Sequence, residues 1–143
     1  MDFADFKNAF LDIFIFESDG RDVKALYRMG PEKDDGYIEY KRCLGTRPLS
    51  KFEKYASQMK WRTHQNPKSC ATYYIGVEDD GMILGLTNDE LYEAMKNFIY
   101  IKELVGGSIV YVNVIKISDT KYVLKIVVKI KKNKLIDTDL QIY

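Results

Sequence analysis

The order of strand-like and helix-like segments after residue 36 constrains the fold of this 143-residue chain more than any other feature. Apolar residues at helical spacing predict two long helices, over residues 49–65 and 88–104. β-Branched and aromatic residues between turn signals predict strands at Tyr37–Leu44, Ala71–Val77, Met82–Leu86, Ile109–Ile117 and Tyr122–Ile130. The resulting order, β-α-β-β-α-β-β, favours an α+β two-layer sandwich in which the helices cover one face of a mainly antiparallel sheet.

Turn and capping signals support these boundaries. Asp80-Gly81 is a hairpin turn signal, which predicts that the second and third strands pair with each other. Thr87 followed by Glu90 forms a capping-box pattern, which predicts the start of the second long helix. Gly106-Gly107 predicts its end.

The N-terminal segment has a different pattern. Phe3, Phe6, Phe10 and Ile13 recur at helical spacing and predict an additional N-terminal helix. Residues 17–36 are loop-like at both ends, with a short helix predicted around Val23–Met29. We therefore divide the chain into an N-terminal helical extension (1–35), an α+β domain (36–132) and a tail (133–143).

Composition and charge indicate a globular, cytoplasmic protein. No apolar run approaches the roughly 20 residues that a membrane helix needs. Cys43, Cys70 and His64 do not form a recognisable zinc-ligand set, so we expect two free thiols, no metal and no cofactor. Residues 1–40 contain ten acidic and five basic residues, whereas residues 41–143 contain eleven and seventeen. This asymmetry favours a polyanion-facing surface on the second part of the chain.

The sequence carries no motif for nucleotide hydrolysis. It lacks both GxxxxGK[ST] and GxGxxG, the glycine-rich patterns that bind phosphates. Glu78, Asp79 and Asp80 could hold Mg²⁺ in a small nuclease, but acidic residues are also ordinary in a hairpin turn. His64 has no evident orienting partner for general-base catalysis. We therefore expect a protein that is not an enzyme, and keep a metal-dependent nuclease as a third hypothesis.

The first long helix has two distinct sides. The predicted core side contains Phe52, Tyr55, Ala56, Met59 and Thr63. The opposite side contains Lys51, Lys54, Gln58, Trp61, Arg62 and Gln65, with Arg47 just upstream. Lysine and arginine beside an aromatic side chain suit phosphate and base contacts in a nucleic acid. The alternative is that the N-terminal helix covers Trp61 with its phenylalanines.

Lysines also recur along the last predicted hairpin. Lys125 and Lys129 fall on the same strand face by alternation, followed by Lys131 and Lys132. One interpretation is a rim that contacts phosphates. The other is that lysines on an edge strand prevent sheet-to-sheet aggregation.

Two stretches carry a family resemblance. FEKYASQMKWR (52–62) and ATYYIGVEDDGMILGL (71–86) resemble the domain that precedes the GTPase in the GTP-binding protein 1 and 2 family of translational GTPases. Tyr37–Lys41 is similar to the strand that opens that region, and the resemblance covers about residues 36–115. The GTPase and its downstream barrels are missing, and the loop HQNPKSC differs from the glycine-rich family loop. The resemblance therefore implies an accessory domain, without GTP binding or tRNA delivery.

The resemblance and the Trp61 side of the helix together predict a ribosome-binding factor. It would contact rRNA and ribosomal proteins, occupy a functional site such as a tRNA site, and keep idle ribosomes inactive, as the microsporidian-type dormancy factors that it resembles do. We expect neither membrane nor DNA as a partner. The candidate RNA- and ribosome-binding residues are Arg47, Lys51, Lys54, Gln58, Trp61, Arg62, Lys125, Lys129, Lys131 and Lys132. The alternative is a protein–protein adaptor that regulates a translational GTPase or an RNA-decay complex, with Trp61 as its anchor.

Overall fold

The computed structural model describes residues 3–19, 29–45 and 48–131. Its elements are α1 (Phe3–Ala9), β1 (Ile15–Asp19), β2 (Ile38–Lys41), α2 (Lys51–His64), β3 (Cys70–Ile75), α3 (Asn88–Leu104), β4 (Gly107–Lys116) and β5 (Tyr122–Ile130). None of the described helices combines the length and the apolar character that crossing a membrane requires. Almost all of the predicted short helix at 23–29, the tail at 133–143, Arg47 and Lys132 lie outside the described residues.

The five strands form one sheet in the order β1-β4-β5-β3-β2. The central strand β5 is antiparallel to both β4 and β3, while the outer pairs, β1 with β4 and β2 with β3, are parallel. The long helices α2 and α3 pack on one face of this sheet. The predicted α+β fold with a mainly antiparallel sheet is therefore confirmed.

The main core lies between the helices and the sheet. Side chains alternate along a strand, so every second residue of the central strands faces the helices. Buried residues on that side are Ala71, Tyr73, Ile75, Val112, Val114, Leu124, Ile126 and Val128. The capping box of α3 is confirmed: the Glu90 N–H donates to Thr87 Oγ1 (3.2 Å), and the Thr87 N–H donates to Glu90 Oε1 (3.0 Å).

The N-terminal segment contributes to the same core. The predicted helix α1 is present, and it buries Phe6 completely. Residues 15–19 form the edge strand β1, in register from Ile15 opposite Val112, although the sequence predicted loop-like structure from residue 17 onward. The polar end of this strand, Glu17-Ser18-Asp19, has no strand signal of its own, and it becomes a strand because β4 offers an open edge.

The predicted hairpin forms only at its turn, where the Glu78 N–H donates to the Met82 carbonyl (2.9 Å), and residues 82–86 do not form the predicted strand. That segment makes only isolated bridges, Val77 with Ile83 and Leu86 with Tyr122. The reason is topological, because β3 already has β5 on one side and β2 on the other. No edge of β3 is left for a third strand.

Candidate binding surface on helix α2

Trp61 lies on the exposed side of α2 with its side chain 45% exposed. Lys54 is two turns earlier on the same side, with Gln58 between them and Lys51 in the first turn. We call Lys51, Lys54, Gln58 and Trp61 the α2 surface.

Helix α1 does not cover Trp61. Phe10, just after α1, packs against Tyr92 of α3 with the ring centroids 5.6 Å apart. Phe6 enters the core between the helices and the sheet. Phe6 and Phe10 therefore pack against the core and α3.

The α2 surface forms one wall of a groove of about 670 Å³ that runs between α2 and the edge strand β2. Basic residues lining the groove are Lys41, Arg42, Lys54 and Arg62, and acidic ones are Glu32, Asp34, Glu39, Glu78 and Asp79. Lys41 Nζ donates to Gln58 Oε1 (2.9 Å) and lies 4.4 Å from the centre of the Tyr55 ring. Burial lowers the pKa of Lys41, and the neighbouring carboxylates of Glu39, Glu32 and Asp79 oppose this effect.

Arg62 does not belong to the α2 surface. Its side chain is buried, and its guanidinium donates to the backbone carbonyls of Lys33 (3.1 Å), Asp35 (3.2 Å) and Gly36 (3.0 Å). The prediction that Arg62 lies on the exposed side of the helix is therefore wrong. The cause is tertiary, since the segment at 32–36 folds over this part of α2 and needs a donor for its carbonyls.

Two carboxylates, the buried Glu39 and the half-buried Glu32, share the Arg62 guanidinium. Nη2 lies 3.5 Å from Glu39 Oε2 and 3.8 Å from Glu32 Oε1, and the Tyr40 N–H donates to Glu32 Oε2 (2.5 Å). Burial, reinforced by Glu39, raises the pKa of Glu32 to about 7. One positive charge thus faces two acids, of which one tends to hold a proton.

This pair predicts a pH dependence of stability. The folded protein binds a proton on Glu32 more tightly than the unfolded chain does, because in the unfolded chain this carboxyl has its ordinary pKa of 4.5. The contribution of Glu32 to the free energy of unfolding is therefore fully present below pH 4.5 and is lost as pH rises through about 7. We expect Glu32→Gln, which cannot ionise, to lack this decline. Urea unfolding of both proteins across the window tests it, and parallel curves would contradict it.

The acidic cluster Glu78-Asp79-Asp80 forms a tight turn. The Gly81 N–H donates to the Glu78 carbonyl (2.8 Å), and the Met82 N–H donates to Asp80 Oδ1 (2.9 Å). Within the described residues, no group of three His, Cys, Asp or Glu side chains is placed to hold a metal ion.

The same turn anchors the segment before β2. The Met29 N–H donates to the Gly81 carbonyl and the Glu32 N–H to the Asp79 carbonyl, both at 2.7 Å. The carboxylate cluster thus helps to build the groove wall that carries Glu32.

The lysines of the last hairpin lie elsewhere. Lys125 and Lys129 project from the face of the sheet opposite to the helices, and Lys131 follows β5 as an exposed residue. The structure therefore does not bring them together with the α2 surface. Their surroundings on that face include Tyr74 and Tyr111, which sequence analysis did not single out.

Comparison with known proteins supports the family resemblance in part. The chain is 42% identical over 79 residues to GTP-binding protein 2 of mouse and of human, a match that covers 55% of this chain and 13% of those proteins. It is 41% identical over 103 residues to an uncharacterized protein of Acanthamoeba polyphaga mimivirus, covering 72% of this chain and 55% of that protein. No protein-family model and no solved structure matches.

The chain is thus a partial homologue of GTP-binding protein 2. It spans about half the length of the viral relative and a small part of GTP-binding protein 2. The resemblance seen in the sequence is confirmed at this level.

Proposed function

We propose that this protein works by binding rather than catalysis, as a factor that docks on rRNA and ribosomal proteins through the α2 surface. The observation that carries the proposal is Trp61, a large aromatic residue left 45% exposed on a helix whose exposed residues also include Lys51, Lys54 and Lys60. Folding alone does not explain such an indole, since burying it would be favourable. An aromatic ring with flanking cations suits a site where bases and phosphates meet protein.

The partial homology points the proposal to translation. Two of the relatives are named GTP-binding protein 2. The family that the sequence resembles is one of translational GTPases. The accessory domain would act sterically. A rigid domain that fills a functional site such as a tRNA site would exclude the usual occupant and keep idle ribosomes inactive in the cytoplasm.

Replacing Trp61 with alanine together with Lys54→Glu is expected to abolish co-sedimentation with ribosomes. The change removes the aromatic contact and reverses one charge at an interface rich in phosphates. Both side chains are exposed, so circular dichroism and the unfolding midpoint should change little. Sedimentation through a sucrose cushion at several salt concentrations measures the loss.

The matched control is Lys96→Glu, which reverses an exposed lysine on α3, away from the groove. It should sediment like the parent protein. Unchanged sedimentation of the Trp61/Lys54 variant would remove the α2 surface from the proposal.

The second candidate function is a protein–protein adaptor that regulates a translational GTPase or an RNA-decay complex. The mixed charge of the groove favours it, because Glu39, Glu78 and Asp79 would repel phosphates while Trp61 could anchor a protein partner. Salt separates the two candidates. A steep loss of binding with salt indicates RNA contacts, whereas a shallow one indicates an apolar protein interface.

A further inference from the structure

The face of the sheet opposite to the helices carries a continuous row of side chains across all five strands. Strand register places Tyr40 beside Tyr74, Tyr74 beside Lys125, Lys125 beside Asn113, and Asn113 beside Phe16. Neighbouring strands lie about 4.8 Å apart, so Tyr74 and Asn113 flank Lys125 at close range.

A second row beside it continues the surface with Thr72, Val127 and Tyr111. We call Phe16, Tyr74, Tyr111, Asn113, Lys125 and Lys129 the open sheet face.

Aromatic rings define this surface. Phe16 stacks on Tyr111 with centroids 5.4 Å apart and an interplanar angle of 25°, and Phe14 meets the edge of Phe16 at 5.8 Å. Phe14 is 70% exposed and Phe16 38% exposed, so these rings do not serve the main core. A second apolar cluster covers part of this face, where Tyr40, Ile115 and Val123 are buried beneath Val77, with Met29, Tyr74, Ile83 and Ile117 packed against them. Phe16, Tyr111 and Lys129 lie outside this cluster.

Lys125 lies between two aromatic rings. Its Nζ is 5.7 Å from the centroid of Tyr74 and 5.8 Å from that of Tyr111. Partial burial lowers the pKa of Lys125, but interactions with Tyr74 and Tyr111 outweigh it and the pKa is raised overall. The ammonium group is therefore held in its charged form and at a defined position.

The charge of the open sheet face is of one sign. By alternation, the described strand residues on this side include Lys125 and Lys129 and no aspartate or glutamate. The aggregation-blocking role predicted for these lysines does not fit, because β5 is the central strand and has no free edge. A cation in the middle of a sheet, between aromatic rings and without a carboxylate partner among the described strand residues of its face, suits an anionic ligand with flat groups.

We propose that the open sheet face binds single-stranded RNA, with unpaired bases stacked on Phe16, Tyr111 and Tyr74 and phosphates held by Lys125 and Lys129. Sheet faces bearing aromatic side chains are suited to splayed-out bases, which an RNA duplex does not offer. A protein partner that fitted this face would have to supply an acidic side chain to neutralise Lys125. The site is separate from the α2 surface and does not depend on ribosome docking.

Fluorescence anisotropy with a labelled, mixed-sequence single-stranded RNA tests the site on the full chain. We expect Phe16→Leu combined with Tyr111→Leu to weaken binding by about fivefold or more for each ring removed, because stacking on an aromatic contributes about 1–3 kcal/mol per base. Leucine keeps apolar bulk, so thermal unfolding should show an intact fold. Lys125→Gln should reduce the salt slope by about 0.7, the value for one lost phosphate contact on a single strand.

Tyr100→Leu is the matched control, since Tyr100 is an exposed aromatic on α3 in the helical layer. It should bind RNA like the parent protein. Trp61, the only tryptophan, reports separately on the α2 surface through its fluorescence. We expect RNA bound at the open sheet face to leave that fluorescence unchanged.

Three outcomes would overturn the proposal. The first is parent-like RNA affinity in the Phe16/Tyr111 variant, and the second is equal binding of duplex and single-stranded RNA. The third is that the parent protein does not bind free RNA but does bind a partner that survives nuclease treatment, and that the open-face variants fail to bind this partner. That outcome would assign the face to a protein. None of these outcomes decides ribosome co-sedimentation through Trp61, so the two proposals fail independently.

Discussion

Replacing Arg62 with alanine is expected to lower the free energy of unfolding by about 3–5 kcal/mol, the range for breaking a buried ion pair from one side. The guanidinium lies 3.5 Å from Glu39 and bonds the carbonyls of the 33–36 segment. Its removal leaves a buried carboxylate without its partner and several carbonyls without a donor. A domain of this size is stable by roughly 5–15 kcal/mol, so the variant should be largely unfolded at modest urea concentrations.

Equilibrium urea unfolding measures this loss, with Arg62→Lys as the informative second variant. Lysine keeps the charge but cannot reproduce the planar set of donors, so we expect it to recover only part of the stability. Trp61→Ala, one residue away but on the exposed side, should cost far less. If Arg62→Ala unfolded at the parent's urea concentration, the structural role that we assign to this residue would be wrong.

This result also bears on how binding data should be interpreted. An Arg62 variant that fails to sediment with ribosomes would do so because its groove wall has unfolded. Arg62 is therefore unsuitable as a test of RNA contact, whereas Lys54 and Trp61 are suitable.

The second large effect is expected for Gly81→Ala. Gly81 has φ +94°, and an added Cβ would lie 1.9 Å from the Met29 carbonyl oxygen. Backbone in this region costs an alanine about 1–3 kcal/mol, and the contact with backbone atoms adds to that cost. The substitution should detach the Met29–Glu32 segment from the turn and lower the free energy of unfolding by about 3 kcal/mol or more.

Gly36→Ala provides the matched control, because Gly36 has a similar φ of +90° and nothing within 4 Å of the added Cβ. It should show the backbone cost alone. The difference between the two variants in thermal or urea unfolding then reports the contact with Met29. Equal destabilisation would mean that the turn does not hold this segment.

Local sequence was sufficient wherever a segment carried its own signal. The capping box at Thr87 and Glu90 predicted the start of α3, and the apolar spacing of Phe52, Ala56 and Met59 predicted the buried side of α2. Alternation predicted that Lys125 and Lys129 share a strand face. These features follow from periods of 3.6 and 2 residues, which act over one element at a time.

Strand order and the covering of surfaces were decided only by the tertiary structure. Residues 15–19 became β1 because β4 had an open edge, and 82–86 did not become a strand because both sides of β3 were taken. Tyr74 and Tyr111 meet across Lys125 although 37 positions separate them in the sequence.

Arg62 is the clearest case in which local sequence and tertiary structure determined different properties of one residue. Its helical position alone placed it beside Trp61 among the exposed residues, and the sequence by itself determined that both lie on α2. The tertiary structure then buried Arg62, because the 32–36 segment folds over it, and left Trp61 partly exposed, with the Arg62 guanidinium 5.1 Å from the centre of its ring. Contacts between distant segments have no local period, so no pattern within α2 could reveal which of its polar residues would be covered.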